Sequence, residues 1–157
     1  MLAIYLQDHH AAGVAGARVA KRAALAIDHR AGHDGDLTRV ASEIRQDLSA
    51  LEGIMRQLGV EPNRWKDTFS RIAERASRSK LNGRLLRRSP LSDLLELETL
   101  VVGITGKQAL WVTLREVLPA QTEELNQLLE RAEEQKQLVE NARVKAAERS
   151  FRTTYTP

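Results

Sequence analysis

The chain contains no cysteine, which excludes disulfide bonds, thiolate metal sites and cysteine nucleophiles. Aromatic residues make up only 4% of its 157 residues, and prolines are few. Alanine, leucine, glutamate and arginine, which favour helices, dominate instead. A chain of this length forms one ordinary domain with a sizeable core. We therefore predict an all-α protein, with a single helical-bundle domain over residues 1–150 and a loose tail over residues 151–157.

Long hydrophobic runs are also missing, since none approaches the ~20 residues that a membrane span requires. The first ten residues turn polar by Gln7 and have no basic lead-in, so they do not match a secretory signal. These features, together with the lack of cysteine, predict a cytoplasmic protein that does not associate with membranes.

Recognisable catalytic motifs are absent from the sequence. Gly103-Ile-Thr-Gly106 lies inside a predicted helix and lacks the pattern of a phosphate-binding loop. There is no Gly-x-Ser-x-Gly elbow, and Ser42 and Ser49 have no histidine placed to activate them. The sequence therefore favours a protein that is not an enzyme.

The spacing of apolar residues predicts five helices. Their approximate ranges are 3–28, 36–58, 62–80, 90–118 and 121–149. Asp36 or Thr38 is the predicted cap of the second helix, and Gly59 its end. Ser89-Pro90 is a typical start for the fourth helix.

The last helix carries an apolar residue at every seventh position. The repeat consists of Leu118, Leu125, Ala132, Val139 and Ala146, with Leu128 and Ala142 in register. A sustained repeat of this kind indicates long helices packed nearly antiparallel.

Four of the helices are long, and the segment between the second and fourth, residues 59–89, matches them in length. This segment can carry the chain back along a bundle. We therefore predict a four-helix bundle of two antiparallel hairpins, with the shorter third helix in the crossover. This order and length of helices resembles the ferritin-like superfamily.

The resemblance implies where a metal centre would lie. Ferritin-like metal proteins use a glutamate on each of two helices and Glu-x-x-His on the other two. Here the corresponding candidates, Asp47-Leu-Ser-Ala50 and Glu98-Thr-Leu-Val101, lack the histidine, and no histidine follows His33. A di-iron centre of the usual kind is therefore not expected.

Three polar residues fall on or beside the apolar faces of the predicted helices. His9 lies within the stripe of the first helix, Asp47 at the edge of the second, and Glu98 inside the apolar arc of the fourth. Glu96 and Lys107 are predicted on the opposite, solvent-facing side. A buried carboxylate is costly unless it finds partners, so Glu98 is expected to belong to a buried network.

The sequence leaves three alternative partners for Glu98. They are a cation such as Lys80, Arg84 or Arg143, the imidazole of His9, and a metal ion. In the metal alternative, Fe, Mn or Zn is held by His9, Asp47 and Glu98. We favour a network of protein groups over the metal.

Charge is unevenly distributed although the net charge is only +3. Residues 64–88 contain nine Lys or Arg and two acids, whereas residues 121–141 contain six glutamates and two cations. Attraction between the two segments, or solvation of both, explains this charge distribution. The alternative is nucleic-acid binding through residues 64–88. His29 and His33, among neighbouring aspartates, are predicted to form a polar loop, with a stray divalent ion as the alternative.

The sequence thus favours a non-catalytic helical-bundle protein that acts through protein contacts, as a homo-oligomer or with another protein. One alternative is a ferritin-like metal-binding protein or oxidoreductase with a reduced site at His9, Asp47 and Glu98. The other is a nucleic-acid-binding protein that uses residues 64–88.

Overall fold

A computed structural model describes residues 1–28, 35–62 and 90–152 of the chain. These ranges contain four long α-helices: α1 (Leu2–Ala23), α2 (Asp36–Gln57), α3 (Pro90–Val117) and α4 (Thr122–Phe151). A π-helical turn, Ala24–Asp28, extends α1, and a 3₁₀ turn, Pro119–Gln121, joins α3 to α4. The described ranges contain no strand, and the predicted all-α fold with four long helices is confirmed.

Several predictions fall on parts of the chain outside those ranges. They are the helical crossover with its short helix, the His29 and His33 cluster, the basic segment 64–88 and the end of the tail. Within the described ranges, no helix is both long enough and apolar enough to cross a membrane.

Helices α1 and α2 form the first antiparallel hairpin. The side chain of Gln7 donates to the carbonyl of Glu61 at 3.0 Å, and His10 contacts Glu52 at 3.0 Å. Partner numbers fall along α2 as residue numbers rise along α1, so the two helices run in opposite directions.

Helices α3 and α4 form the second hairpin, joined by the 3₁₀ turn. Gln108 donates to Glu133 at 2.8 Å, and further along Arg115 donates to Asn126 at 3.1 Å. This pair makes the most extensive helix contact in the described chain. Both predicted hairpins are therefore present.

The two hairpins pack so that neighbouring helices are antiparallel. Tyr5 reaches Thr113 at 3.2 Å, which joins the start of α1 to the end of α3. Gln121 reaches Gln57 at 2.6 Å, which joins the start of α4 to the end of α2. Helices α2 and α3 are consequently parallel and diagonal. The end of α2 and the start of α3 lie at opposite ends of the bundle.

Gly59 ends α2, as predicted. Its φ of 66° is left-handed, a conformation that costs glycine little. The N–H of Gly59 donates to Arg56 at 3.1 Å, and the N–H of Val60 donates to Met55 at 2.8 Å. These two bonds satisfy the last carbonyls of the helix in a Schellman arrangement.

The start of α2 differs from the prediction that Asp36 or Thr38 provides the cap. The carboxylate of Asp28, at the end of the π-helical turn, accepts hydrogen bonds from the backbone N–H and the hydroxyl of Thr38, at 2.9 and 2.7 Å. It also accepts the N–H of Leu37 at 3.4 Å. The cap therefore comes from the preceding helix, a contact between residues nine or ten positions apart that helix-start patterns do not include.

The apolar core is divided into two clusters along the bundle axis. One lies around Ile27, Leu37, Leu97 and Ala146, and the other around Leu6, Met55, Leu114 and Leu125. The heptad positions of α4 contribute to both, because Leu125, Leu128, Ala132, Val139, Ala142 and Ala146 are all buried. Between the clusters lies a layer of polar side chains.

Candidate functional site

The polar layer is centred on Asp47 of α2, whose side chain is only 1% exposed. One carboxylate oxygen accepts a hydrogen bond from the Lys107 ammonium and another from the Gln135 amide at 3.1 Å. The other oxygen accepts from the guanidinium of Arg131. Lys107 also donates to the amide oxygen of Gln135. Three helices thus meet through this one carboxylate.

Burial makes this layer electrostatically demanding. A buried carboxylate is tolerated only where opposite charge and hydrogen bonds replace its hydration, and Lys107 and Arg131 supply both. Burial also lowers the pKa of the Lys107 ammonium below its ordinary value, although attraction to Asp47 opposes this shift. The layer is therefore stable only as a set, since each charge needs its partners.

An apolar cleft of about 290 Å³ opens beside the polar layer, between α1, α2 and α3. Its walls are almost entirely apolar; Asp47 and Lys107 lie at its border, with Trp111 one turn further along α3. Pockets of this kind, with a few polar groups among apolar walls, are the usual form of ligand sites.

Small residues on α1 and α3 create this cleft. Gly13 and Gly16 line it from α1, and Gly103 and Gly106 from α3. A Cβ atom at Gly13 would lie 3.1 Å from the Leu48 side chain, so this glycine permits close contact between α1 and α2. At Gly16, Gly103 and Gly106 a Cβ atom would meet nothing within 4 Å, so these positions leave open space.

Two ring side chains, those of His9 and Trp111, also line the cleft. His9 is half-buried, its ring in edge contact with Tyr5 at a centroid distance of 4.5 Å. Burial lowers the pKa of His9 below 6.5, with Asp8 acting in the opposite direction. Trp111 is buried, and its indole N–H has no acceptor within the described chain.

The structure contradicts the predicted orientation of α3. Glu98 is exposed, whereas Lys107, predicted to face solvent, has a side chain that is only 15% exposed. The buried face follows Leu97, Leu100 and Ile104 instead. The prediction failed because α3 is apolar around its whole circumference, so the apolar residues alone do not define one inner face.

The three residues predicted for a metal site are placed in different surroundings. Both oxygens of Asp47 are engaged by cations, His9 borders the cleft, and Glu98 faces solvent. No three His, Asp or Glu side chains in the described ranges are grouped so that they could hold a metal ion. This donor set does not fit a metal centre. Arg143, one suggested partner of Glu98, pairs with Glu140 at 2.5 Å, while Lys80 and Arg84 lie outside those ranges.

Sequence reasoning missed Gln135, Arg131 and Lys107 as partners of Asp47. Gln135 carried a usable signal, because it lies seven residues from both Leu128 and Ala142 and so falls on the buried seam. A polar residue on such a seam indicates an internal partner. Arg131 and Lys107 gave no such signal, since their long side chains reach inward from near the edge of a face.

Comparison with known proteins adds no relative from which a function can be inferred. No protein-family model, curated protein or solved structure matches the chain.

We expect Asp47→Ala to lower the free energy of unfolding by about 3–5 kcal/mol, because Lys107 and Arg131 would be left close together without their carboxylate. Glu98→Ala is the matched control, since it removes an exposed carboxylate and is expected to stay within about 0.5 kcal/mol. Urea denaturation followed by circular dichroism measures both. Equal effects of the two substitutions would contradict the assigned role of Asp47.

The lowered pKa of His9 predicts a pH dependence of stability. Between the pKa of the folded protein and 6.5, the unfolded chain binds more protons, so stability falls as the pH drops through this window. We expect His9→Gln to lose less stability than the wild type between about pH 7.5 and about pH 5. Urea denaturation at each pH tests this, and parallel losses in the two proteins would refute it.

Proposed function

We propose that this protein is a non-catalytic binding protein built on a ferritin-like bundle, and that the cleft between α1, α2 and α3 is its binding site. The antiparallel packing of neighbouring helices, with α2 and α3 parallel, supports the ferritin-like assignment. The observation that carries the binding role is the cleft itself, an apolar space of about 290 Å³ bordered by a buried charged layer.

The polar layer supports a non-catalytic role. Metal-binding four-helix bundles place their ligands at the bundle centre. At that level the described helices place the carboxylate of Asp47, whose charge is already compensated by Lys107 and Arg131. The centre thus supplies structure and a cationic border to the cleft.

We expect Gly103→Leu to fill the cleft and weaken the binding of a neutral apolar probe, octanol, by at least about tenfold, the loss of roughly two buried methylenes of contact. A Trp65→Phe background leaves Trp111 as the only tryptophan, so its fluorescence reports binding from the cleft wall.

Gly53→Leu is the matched control. It also replaces a helical glycine whose Cβ position is open, but it lies on α2 away from the cleft. We expect it to leave octanol binding unchanged. If octanol does not change the fluorescence of the parent protein, or if both substitutions weaken binding equally, the cleft is not the binding site.

A surface feature of α3 favours a second function, self-association through protein contacts. Five large apolar side chains of this helix are exposed, namely Leu91, Leu95, Val102, Val112 and Val117, with Val102 at 71%. An antiparallel pair of α3 helices centred on Val102 would place Leu95 opposite Ala109 and Glu98 opposite Gly106. No like charges would then face each other, so the stripe is self-complementary about a two-fold axis.

We expect the protein to form a dimer that Leu95→Glu converts to a monomer, since a carboxylate would be buried at the interface. Val144→Glu, at a similarly exposed valine on α4, should leave the dimer intact. Sedimentation velocity distinguishes the two. A monomeric wild-type protein, or equal behaviour of the two variants, would refute self-association through α3.

A further inference from the structure

One hydrogen-bond donor in the cleft wall, Lys107, has unused capacity. The Lys107 ammonium carries three N–H groups, of which two donate to Asp47 and Gln135. The indole N–H of Trp111 is buried without an acceptor in the described chain. Lys107 and Trp111 are four residues apart on α3, so their side chains lie on the same face. Trp111 is only 1% exposed, however, so its N–H does not face the cleft. The third N–H of Lys107 therefore favours a ligand group that accepts a hydrogen bond.

The charge of the polar layer favours an anion. Within it, Lys107 and Arg131 bear two positive charges and Asp47 one negative charge, which leaves one positive charge in excess. The nearby carboxylate of Glu43 is paired with Arg39 at 2.7 Å. Charges attract more strongly where water is excluded, so a single negative charge beside Lys107 would be stabilised.

The remainder of the cleft sets the size and polarity of the ligand. A volume of about 290 Å³ is many times what one water molecule requires. It therefore accommodates a small ligand with an alkyl chain or a single ring. The glycines of α1 and α3 expose backbone and apolar neighbours there, so most of those atoms should be carbon.

We propose that the cleft binds a small apolar monocarboxylate, with its carboxylate held by Lys107 and its alkyl or aryl body between α1 and α3. A carboxylate accepts hydrogen bonds and carries one negative charge, which match the third ammonium N–H of Lys107 and the one excess positive charge. This inference rests on the proposed function, that the cleft is a binding site, and specifies the chemistry of its ligand.

Isothermal titration calorimetry with three probes of equal chain length tests the proposal: octanoate, octanol and octylammonium, each below its micelle concentration. We expect octanoate to bind the wild-type protein most tightly and octylammonium least. Lys107→Met should weaken octanoate binding by about tenfold or more, the effect of losing a hydrogen bond to a charged group. It should change octanol binding by no more than about twofold, since the methionine retains the apolar stem.

A second variant guards against loss of structure. Lys107→Gln replaces the ammonium with a neutral amide that can still donate to Asp47, and it leaves the Asp47–Arg131 pair intact, so no unpaired charge is created. It should show the same selective loss of octanoate binding. The comparison of the three probes on the wild-type protein does not depend on any substitution.

The outcomes separate the ligand class from the binding site. If octanol binds as tightly as octanoate, or if Lys107→Met weakens both equally, the carboxylate assignment is overturned while the cleft remains a binding site. If no probe binds the wild-type protein, the proposed function fails together with the inference. Selective loss of octanoate in both variants supports the proposal.

Discussion

A carboxylate in the middle of the helical core, that of Asp47, is the constraint around which this bundle is organised. Its charge cannot remain there without compensation, so Lys107 of α3 and Arg131 and Gln135 of α4 converge on it. Hydrogen bonds have directions, unlike apolar contacts, and these define the relative positions of α2, α3 and α4 along the axis. The two apolar clusters supply most of the burial on either side of this layer.

The cleft is a consequence of the same arrangement. Helix α1 contributes no charged partner to Asp47; at that level it presents glycines instead. Gly13 lets α1 approach α2, while Gly16 and the two glycines of α3 leave space that no neighbouring side chain fills. The protein therefore has a compensated charge on one side of its centre and an apolar space on the other. Lys107 belongs to both, since it pairs with Asp47 and also lines the cleft.

The structure bears out the parts of the sequence analysis that depended on long, regular patterns. The heptad of α4 identified its buried residues, because a seven-residue repeat over four turns or more has only one consistent inner face. Gly59 was recognised as the end of α2 because a left-handed helix stop favours glycine. For α3 the same reasoning failed: Leu95 and Val102 are exposed, Glu98 lies beside them, and Lys107 turns inward. The sequence of a helix with apolar residues on all sides does not show which of its faces is buried.

The sequence by itself determined the secondary structure, the long helices and the hairpin pairing of adjacent ones, because these follow from local periodicity, helix-ending residues and short connections. It also indicated that Asp47 lies beside an apolar face. Only the tertiary structure decided which cations meet Asp47, which face of α3 is buried, and that Asp28 caps α2. These features depend on contacts between side chains that are distant in sequence. Local periodicity contains no information about such contacts. The cleft belongs to the same category, since a glycine marks open space only when the neighbouring helices are known.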